Sequence, residues 1–157
     1  MGRIYTASFQ NVAYTTNDDV FELLTTSAVC AVIHEVTVTQ STEIGDAQAE
    51  MLRFTLHRVT GAPTSGSGGS TPTPIPHSPG DAAAVCTVEA NNTTDLTGGT
   101  SVLLREEAVH IANGFYYQPI PEDRITIAPS TRFMVKLANS PADSVSLSGT
   151  ITFEEIG

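Results

Sequence analysis

The sequence has no tryptophan and a single lysine, and its charges are unbalanced. Seven basic residues stand against 17 carboxylates, which gives a formal net charge of −10. Such a balance repels phosphate backbones. The basic residues are also scattered along the chain, whereas nucleic-acid binding normally depends on a basic stripe. We therefore expect no nucleic-acid partner. The missing tryptophan argues against a carbohydrate-binding module, which uses surface aromatic rings.

Long apolar runs are missing as well. No stretch approaches the ~20 apolar residues of a membrane-spanning helix, so we expect no membrane partner. The first ten residues contain no apolar run of signal-peptide length, and nothing indicates an oxidising compartment. The two cysteines, Cys30 and Cys86, both lie in apolar segments. This placement favours two buried thiols, and a disulfide between them stays open.

Recognisable catalytic and metal-binding motifs are also missing. No nucleotide-binding glycine loop and no G-x-S-x-G nucleophile elbow is present. None of the four histidines has a close metal-ligand spacing such as H-x-x-x-H. Cys30 with His34 or His57 is the best combination of a nucleophile and a base, but no catalytic signature surrounds either cysteine. We therefore expect no enzymatic activity, no cofactor and no metal.

One group of acidic residues is a candidate calcium site. Glu43, Asp46 and Glu50 surround Gly45, and carboxylates grouped in this way could hold calcium. The alternating ligand spacing of an EF-hand is absent, so a solvated turn is the favoured interpretation.

A period of two in hydrophobicity is what the sequence does contain. In residues 144–153, Val145, Leu147, Ile151 and Phe153 alternate with serine and threonine, as in a half-buried strand. Similar segments recur at intervals of roughly 8–15 residues. The predicted strands are residues 4–13, 20–24, 28–40, 50–60, 82–90, 101–112, 114–120, 124–128, 131–138 and 144–153.

This spacing predicts an all-β protein, an antiparallel β-sandwich of jelly-roll-like form. Residues 103–111 could also form an amphipathic helix, but the neighbouring strands favour a strand. In residues 28–40, strict alternation predicts that the even-numbered side chains share one face of the sheet. That set is Cys30, Val32, His34, Val36 and Val38.

Residues 61–80 differ from the rest of the chain. Seventeen of these twenty residues are Gly, Pro, Ser or Thr, and none is charged. Each flanking half of the chain contributes one-faced strands that need another sheet to cover them. We therefore interpret the tract as a long loop inside a single domain of residues 1–157, and not as a linker. It could be an arm that reaches a neighbouring subunit through Ile75, its one large apolar residue, or a disordered surface loop.

Four stretches together resemble a known group of proteins. They are GRIYTASFQNVA at residues 2–13, the run from His34 to Gly61, TVEANNTTDLTGG at residues 87–99, and LSGTITFEEIG at the end of the chain. They are similar to small all-β proteins encoded by tailed bacteriophages and prophages, some of which are head decoration (cement) proteins. The similarity runs along the whole chain, with residues 61–80 as the variable part.

The resemblance implies a trimeric β-sandwich that binds the major capsid protein on the outer surface of the virion and clamps capsomers together. The low content of basic residues suits a surface that faces away from packaged DNA. The side chains that we expect to contact a partner are Arg3, Ile4, Tyr5, Ile75, Tyr116 and Tyr117. The alternatives are a tail, baseplate or head-fibre module of the virion, and a carbohydrate-binding β-sandwich.

Overall fold

The computed structural model describes residues 2–41 and 50–157. The acidic group of the sequence analysis lies largely outside these residues, because Glu43 and Asp46 are not among them. The described residues form eleven strands and one 3₁₀ turn, Pro121–Asp123. The strands are β1 (Arg3–Tyr14), β2 (Asp19–Leu24), β3 (Cys30–Gln40), β4 (Met51–Thr60), β5 (Ile75–Pro76), β6 (Thr87–Asn92), β7 (Thr100–His110), β8 (Phe115–Tyr117), β9 (Thr126–Ile127), β10 (Arg132–Leu137) and β11 (Val145–Ile156).

The strands form two antiparallel sheets, which confirms the prediction of an all-β sandwich. The six-stranded sheet has the order β5-β1-β11-β3-β8, and β9 pairs with β3 beside β8. The five-stranded sheet has the order β6-β2-β10-β4-β7. Each sheet takes strands from both sides of residues 61–80. Neither half of the chain therefore builds a complete sheet of its own.

Aromatic rings join the inner faces of the two sheets. The Phe9 ring of β1 lies 5.1 Å from the Phe21 ring of β2, and the Phe54 ring of β4 lies 5.1 Å from the Phe115 ring of β8. All four side chains are buried in one hydrophobic cluster. Gly149 of β11 faces the first of these pairs, and its missing side chain leaves the room that the rings of Phe9 and Phe21 occupy.

Strand β3 departs from strict alternation. Ala31 and Ile33 are buried in its first half, and Val36 and Val38 in its second half. The register against β11 shifts between Ile33 and the residues after it, which leaves His34 as the extra residue of a β-bulge. The prediction that all even-numbered side chains of residues 28–40 share a face is therefore wrong, because the bulge reverses the faces midway.

Residues 61–80, which we call the strap, bond to the chain's own sheets. Backbone hydrogen bonds join Thr64 to Thr97, Ser67 to Thr94 and Ser70 to Ala90, with N···O distances of 2.8–3.1 Å. This first part of the strap lies on the outer face of the five-stranded sheet, where the Gly66 N–H bonds to the buried Glu22 of β2. The observed bonds hold the tract against the chain's own sheets and so correct the expectation of a disordered surface loop, whereas an arm that reaches a neighbouring subunit through Ile75 stays a prediction.

The second part of the strap crosses to the other sheet. Strand β5 pairs with β1 at Tyr5 and Thr6, and the His77 N–H donates to the Ile4 carbonyl at 2.9 Å. The Ile75 side chain nevertheless remains 62% exposed. The strap thus links the edges of both sheets and still presents its one large apolar side chain to solvent.

Candidate interaction surfaces

Three of the expected contact residues lie together at the β5 edge of the six-stranded sheet. Arg3 and Ile4 begin β1, and Ile75 of β5 pairs with Thr6 two residues further on. Arg3 is exposed, Ile4 is half-buried, and the Arg3 guanidinium lies 4.0 Å from the Asp81 carboxylate. This edge therefore offers one apolar side chain beside a partly neutralised cation.

Two of the expected contact residues are internal. The Tyr5 ring is buried, and its hydroxyl donates to the Ala82 carbonyl at 2.9 Å. The Tyr117 ring is also buried, and its hydroxyl donates to the Asp123 carbonyl at 3.1 Å. Burial raises the pKa of the Tyr117 hydroxyl. Both residues are removed from the contact set because alternation along β1 and β8 turns their rings inward.

Tyr116 lies at the opposite edge of the same sheet. It is 52% exposed, and it points outward because it alternates with the buried rings of Phe115 and Tyr117. Ile120, three residues beyond β8, is 62% exposed. The strand order places β8 four strands away from β5. The expected residues therefore form two separate apolar groups, one around Ile75 and one around Tyr116.

A third exposed apolar group was not predicted from the sequence. Val102, Leu103 and Leu104 are consecutive in β7, and they are 42%, 51% and 37% exposed. The prediction of a strand at residues 101–112 is confirmed, but the edge position of that strand was not foreseen. Three successive large apolar residues cannot all face inward from one strand, and this was the available signal.

The strap is fixed by a buried carboxylate. Glu22 of β2 is 2% exposed and faces the underside of the strap. Its Oε1 accepts hydrogen bonds from the Gly66 N–H at 2.8 Å and from Asn92 Nδ2 at 2.8 Å. Its Oε2 lies 3.1 Å from Arg132 Nη1, and Arg132 also bonds to the Ser65 hydroxyl. One side chain therefore holds β2, β6, β10 and the strap together.

A second buried carboxylate lies on the same face. Asp19 is 1% exposed, its Oδ2 accepts from the Leu96 N–H at 2.6 Å, and its Oδ1 lies 3.8 Å from Lys136 Nζ. Lys136 also pairs with Asp95. Burial raises the pKa of the Asp19 carboxyl from 3.8 to about 6, because the hydrogen bond from Leu96 and the charge of Lys136 offset only part of the desolvation.

Replacing Asp19 by asparagine should change how stability depends on pH. The pKa of the Asp19 carboxyl is higher in the folded chain than in the unfolded chain. The contribution of this carboxyl to the stability of the fold is therefore full below the unfolded pKa, and it is lost as the pH rises through about 6. We expect the difference in free energy of unfolding, Asp19→Asn minus the unsubstituted chain, to become more positive as the pH rises from about 4 to about 7. Urea unfolding across this range measures the difference. A difference that stays constant or falls with pH would contradict the assignment.

The cysteine and histidine candidates do not come together. Cys30 and His34 belong to the six-stranded sheet and His57 to the five-stranded sheet. His34 Nε2 bonds to Glu154 Oε2 at 3.0 Å, and His57 Nδ1 lies 3.0 Å from the Ser101 hydroxyl. Each histidine thus has a structural partner within its own sheet.

Both cysteines are free thiols. Cys86 is buried, as predicted, and burial raises its pKa well above the ordinary range. Cys30 is only partly buried, and its thiol donates to the Ile156 carbonyl at 3.3 Å.

The outer face of the six-stranded sheet is lined with hydroxyl groups. Ser8 and Thr150 lie opposite each other with their hydroxyl oxygens 3.1 Å apart. They border a shallow depression of about 190 Å³, whose other polar lining residues include Gln10, Thr37, Thr39 and Ser148. Thr37 pairs with Tyr116 in the adjacent strand, so the exposed Tyr116 residue is a neighbour of this lining.

Comparison of the chain with known protein families, with curated proteins and with solved structures finds no match. Across residues 2–41 and 50–157, no group of three or more His, Cys, Asp or Glu side chains is arranged to hold a metal ion. The same residues include no helix of the length and hydropathy that crossing a bilayer requires.

Proposed function

We propose that the chain is a non-enzymatic structural protein of jelly-roll topology that decorates the outer surface of a tailed-bacteriophage capsid, with the major capsid protein as its partner. The jelly-roll assignment is supported by strand order. If β5, β6 and β9 are set aside, the sheets read β1-β11-β3-β8 and β2-β10-β4-β7. Eight strands divided between two antiparallel sheets in this nested order are typical of the double Greek key.

The observation that carries the proposal is the position of the two exposed groups on the six-stranded sheet. The Ile75 group lies at its β5 edge and the Tyr116 group at its β8 edge. Four inter-strand spacings separate these edges, which is about 19 Å. A body with an apolar side chain at each edge can contact two neighbouring capsid subunits at once. Two linked contacts bind more tightly than either alone.

Removing one contact should therefore weaken capsid binding strongly. We expect Ile75→Ser and Tyr116→Ser each to lower the apparent affinity for capsids by at least about 100-fold, because loss of one contact removes the avidity of the pair. Co-sedimentation of the purified variants with capsids that lack the protein measures this loss. Met51→Ser is the matched control, since Met51 is 51% exposed and lies in β4 of the five-stranded sheet.

Two results would contradict the proposal. Undiminished co-sedimentation of the Ile75→Ser and Tyr116→Ser variants would show that the two edges do not contact the capsid. Absence of the protein from purified virions would show that it is not a structural protein of the virion. Immuno-gold label on tails, with none on heads, would instead support a tail, baseplate or head-fibre module of the same fold.

A carbohydrate-binding role is the second candidate, and one observation favours it. The exposed Tyr116 residue neighbours Thr37 of the hydroxyl-lined depression, and an aromatic ring beside hydroxyl groups can stack on a sugar while the hydroxyls bond to it. Binding of defined glycans on an array, lost in Tyr116→Ser, would support this role. A uniform lack of glycan binding would exclude it.

A further inference from the structure

We propose that the peptide between Asn113 and Gly114 is a site of non-enzymatic covalent modification, at which the Asn113 side chain loses ammonia and the chain gains a carboxylate. These two residues lie in the connection between β7, which ends at His110, and β8, which begins at Phe115. The chain has six asparagines, and only Asn113 is followed by glycine. Glycine has no Cβ atom to obstruct the approach of its own backbone nitrogen to the preceding side chain.

The side-chain amide of Asn113 is free to rotate. Asn113 is exposed, and its backbone N–H donates to the His110 carbonyl at 2.8 Å and closes a turn. Within residues 2–41 and 50–157, however, its side-chain amide forms no hydrogen bond. The amide carbon can therefore turn toward the next backbone nitrogen without breaking an existing hydrogen bond.

The backbone nitrogen of Gly114 lies outside the hydrogen bonding of the sheet. Pairing of β8 with β3 begins one residue later, where Phe115 lies opposite Val38. In the part of the chain that the structure describes, the Gly114 N–H donates to no carbonyl. Its φ of +73° is a conformation that glycine adopts without steric cost. The nitrogen can therefore lose its proton and attack without loss of a bond in the ladder.

The reaction needs no reagent other than water. The Gly114 nitrogen forms a bond to Cγ of Asn113 and gives up its proton, while the bond from Cγ to Nδ2 breaks and ammonia leaves with that proton. Water then opens the resulting cyclic imide. Opening at the side-chain carbonyl gives aspartate, and opening at the backbone carbonyl gives isoaspartate, in which the main chain runs through Cβ and Cγ. No oxidation or reduction occurs, and either product carries a new negative charge.

The fold protects Asn139, which is followed by another small residue, serine. The Arg53 N–H donates to its Oδ1 at 2.6 Å, and its Nδ2 donates to the Met51 carbonyl at 3.1 Å. Asn91 and Asn92 are buried. The remaining asparagines precede valine and aspartate, whose side chains obstruct the attacking nitrogen. The structure therefore leaves the glycine-linked amide as the reactive one.

The modification changes the surroundings of Tyr116. A Cβ atom at residue 114 would lie 3.3 Å from the Tyr116 ring, so this peptide packs against that ring. Isoaspartate lengthens the main chain at this point, and either product makes the net charge of −10 more negative by one. The reaction itself depends on no property of the proposed function.

Incubation of the purified chain at mildly alkaline pH, which favours loss of the proton from the amide nitrogen, tests the proposal. Peptide mapping by mass spectrometry follows residues 113 and 139 in the folded chain and in guanidinium chloride. Residue 113 should convert to aspartate and isoaspartate at similar rates in both, because the fold leaves its amide and the next nitrogen free. Residue 139 should convert at least about tenfold more slowly in the folded chain, since two hydrogen bonds must break first.

Asn113→Gln is the matched control. It keeps an exposed amide, but its longer side chain would have to close a larger and less favourable ring, so we expect no conversion at this residue. A folded chain in which residue 113 stays unconverted would overturn the proposal. Conversion of residue 113 in the folded chain no faster than that of residue 139 would overturn it as well.

Discussion

Glu22→Ala is expected to lower the free energy of unfolding by about 3–5 kcal/mol, the usual cost of removing one partner from a buried ion pair. The substitution leaves Arg132, whose side chain is 11% exposed, without its carboxylate. It also leaves the Gly66 N–H and the Asn92 amide without an acceptor. Urea unfolding measures the loss. Limited proteolysis should in addition show faster cleavage within the strap, because Glu22 holds the strap to β2.

The matched control for this substitution is Glu106→Ala. Glu106 also pairs with an arginine at 3.1 Å, but both side chains are about half exposed. Exposed pairs contribute about 0–1 kcal/mol, so we expect little change in stability or in cleavage of the strap. Equal effects of the two substitutions would show that Glu22 does not anchor the strap.

Gly149→Ala is expected to destabilise the fold by about 1–3 kcal/mol through overpacking. A Cβ atom at residue 149 would lie 2.5 Å from the Phe9 ring and 3.0 Å from the Phe21 ring. Both rings are buried and packed against each other, so neither can move away cheaply. Replacing a strand glycine by alanine ordinarily stabilises a protein by about 0.5–1 kcal/mol. A loss of stability in Gly149→Ala, in place of the usual gain, would therefore show that the two rings need the space at residue 149.

Gly80→Ala provides the comparison, because a Cβ atom there would meet nothing within 4 Å. We expect no loss of stability and at most a small gain. Thermal or urea unfolding of the two variants would decide the point. A Gly149→Ala variant as stable as Gly80→Ala would show that the two rings do not require this space.

The strands and most of their faces could be predicted because the hydrophobic alternation is local. Residues 144–153 place Val145, Leu147, Ile151 and Phe153 inside, as their period of two indicates. The bulge at His34 could not be predicted in this way. It depends on how β3 pairs with β11, more than one hundred residues away, and no alternation within β3 reveals that register.

The strap and its anchors could not be predicted for a related reason. Its hydrogen bonds run through backbone groups to residues 90–97, and backbone groups carry no sequence signal. Asp19 and Glu22 resemble ordinary surface carboxylates in the sequence, but Glu22 is buried beneath the strap and Asp19 is buried beside Leu96 and Lys136. The inward position of Tyr5 was available from the sequence, since Tyr5 shares its parity with Ala7 and Phe9.

Electron cryo-microscopy of capsids mixed with the purified chain tests the proposed function most directly. We predict density on the outer surface of the shell, with the β5 and β8 edges of the six-stranded sheet each resting on a different capsid subunit. A bare shell would contradict the proposed function. Density in which the six-stranded sheet faces solvent would contradict the assigned contact surface.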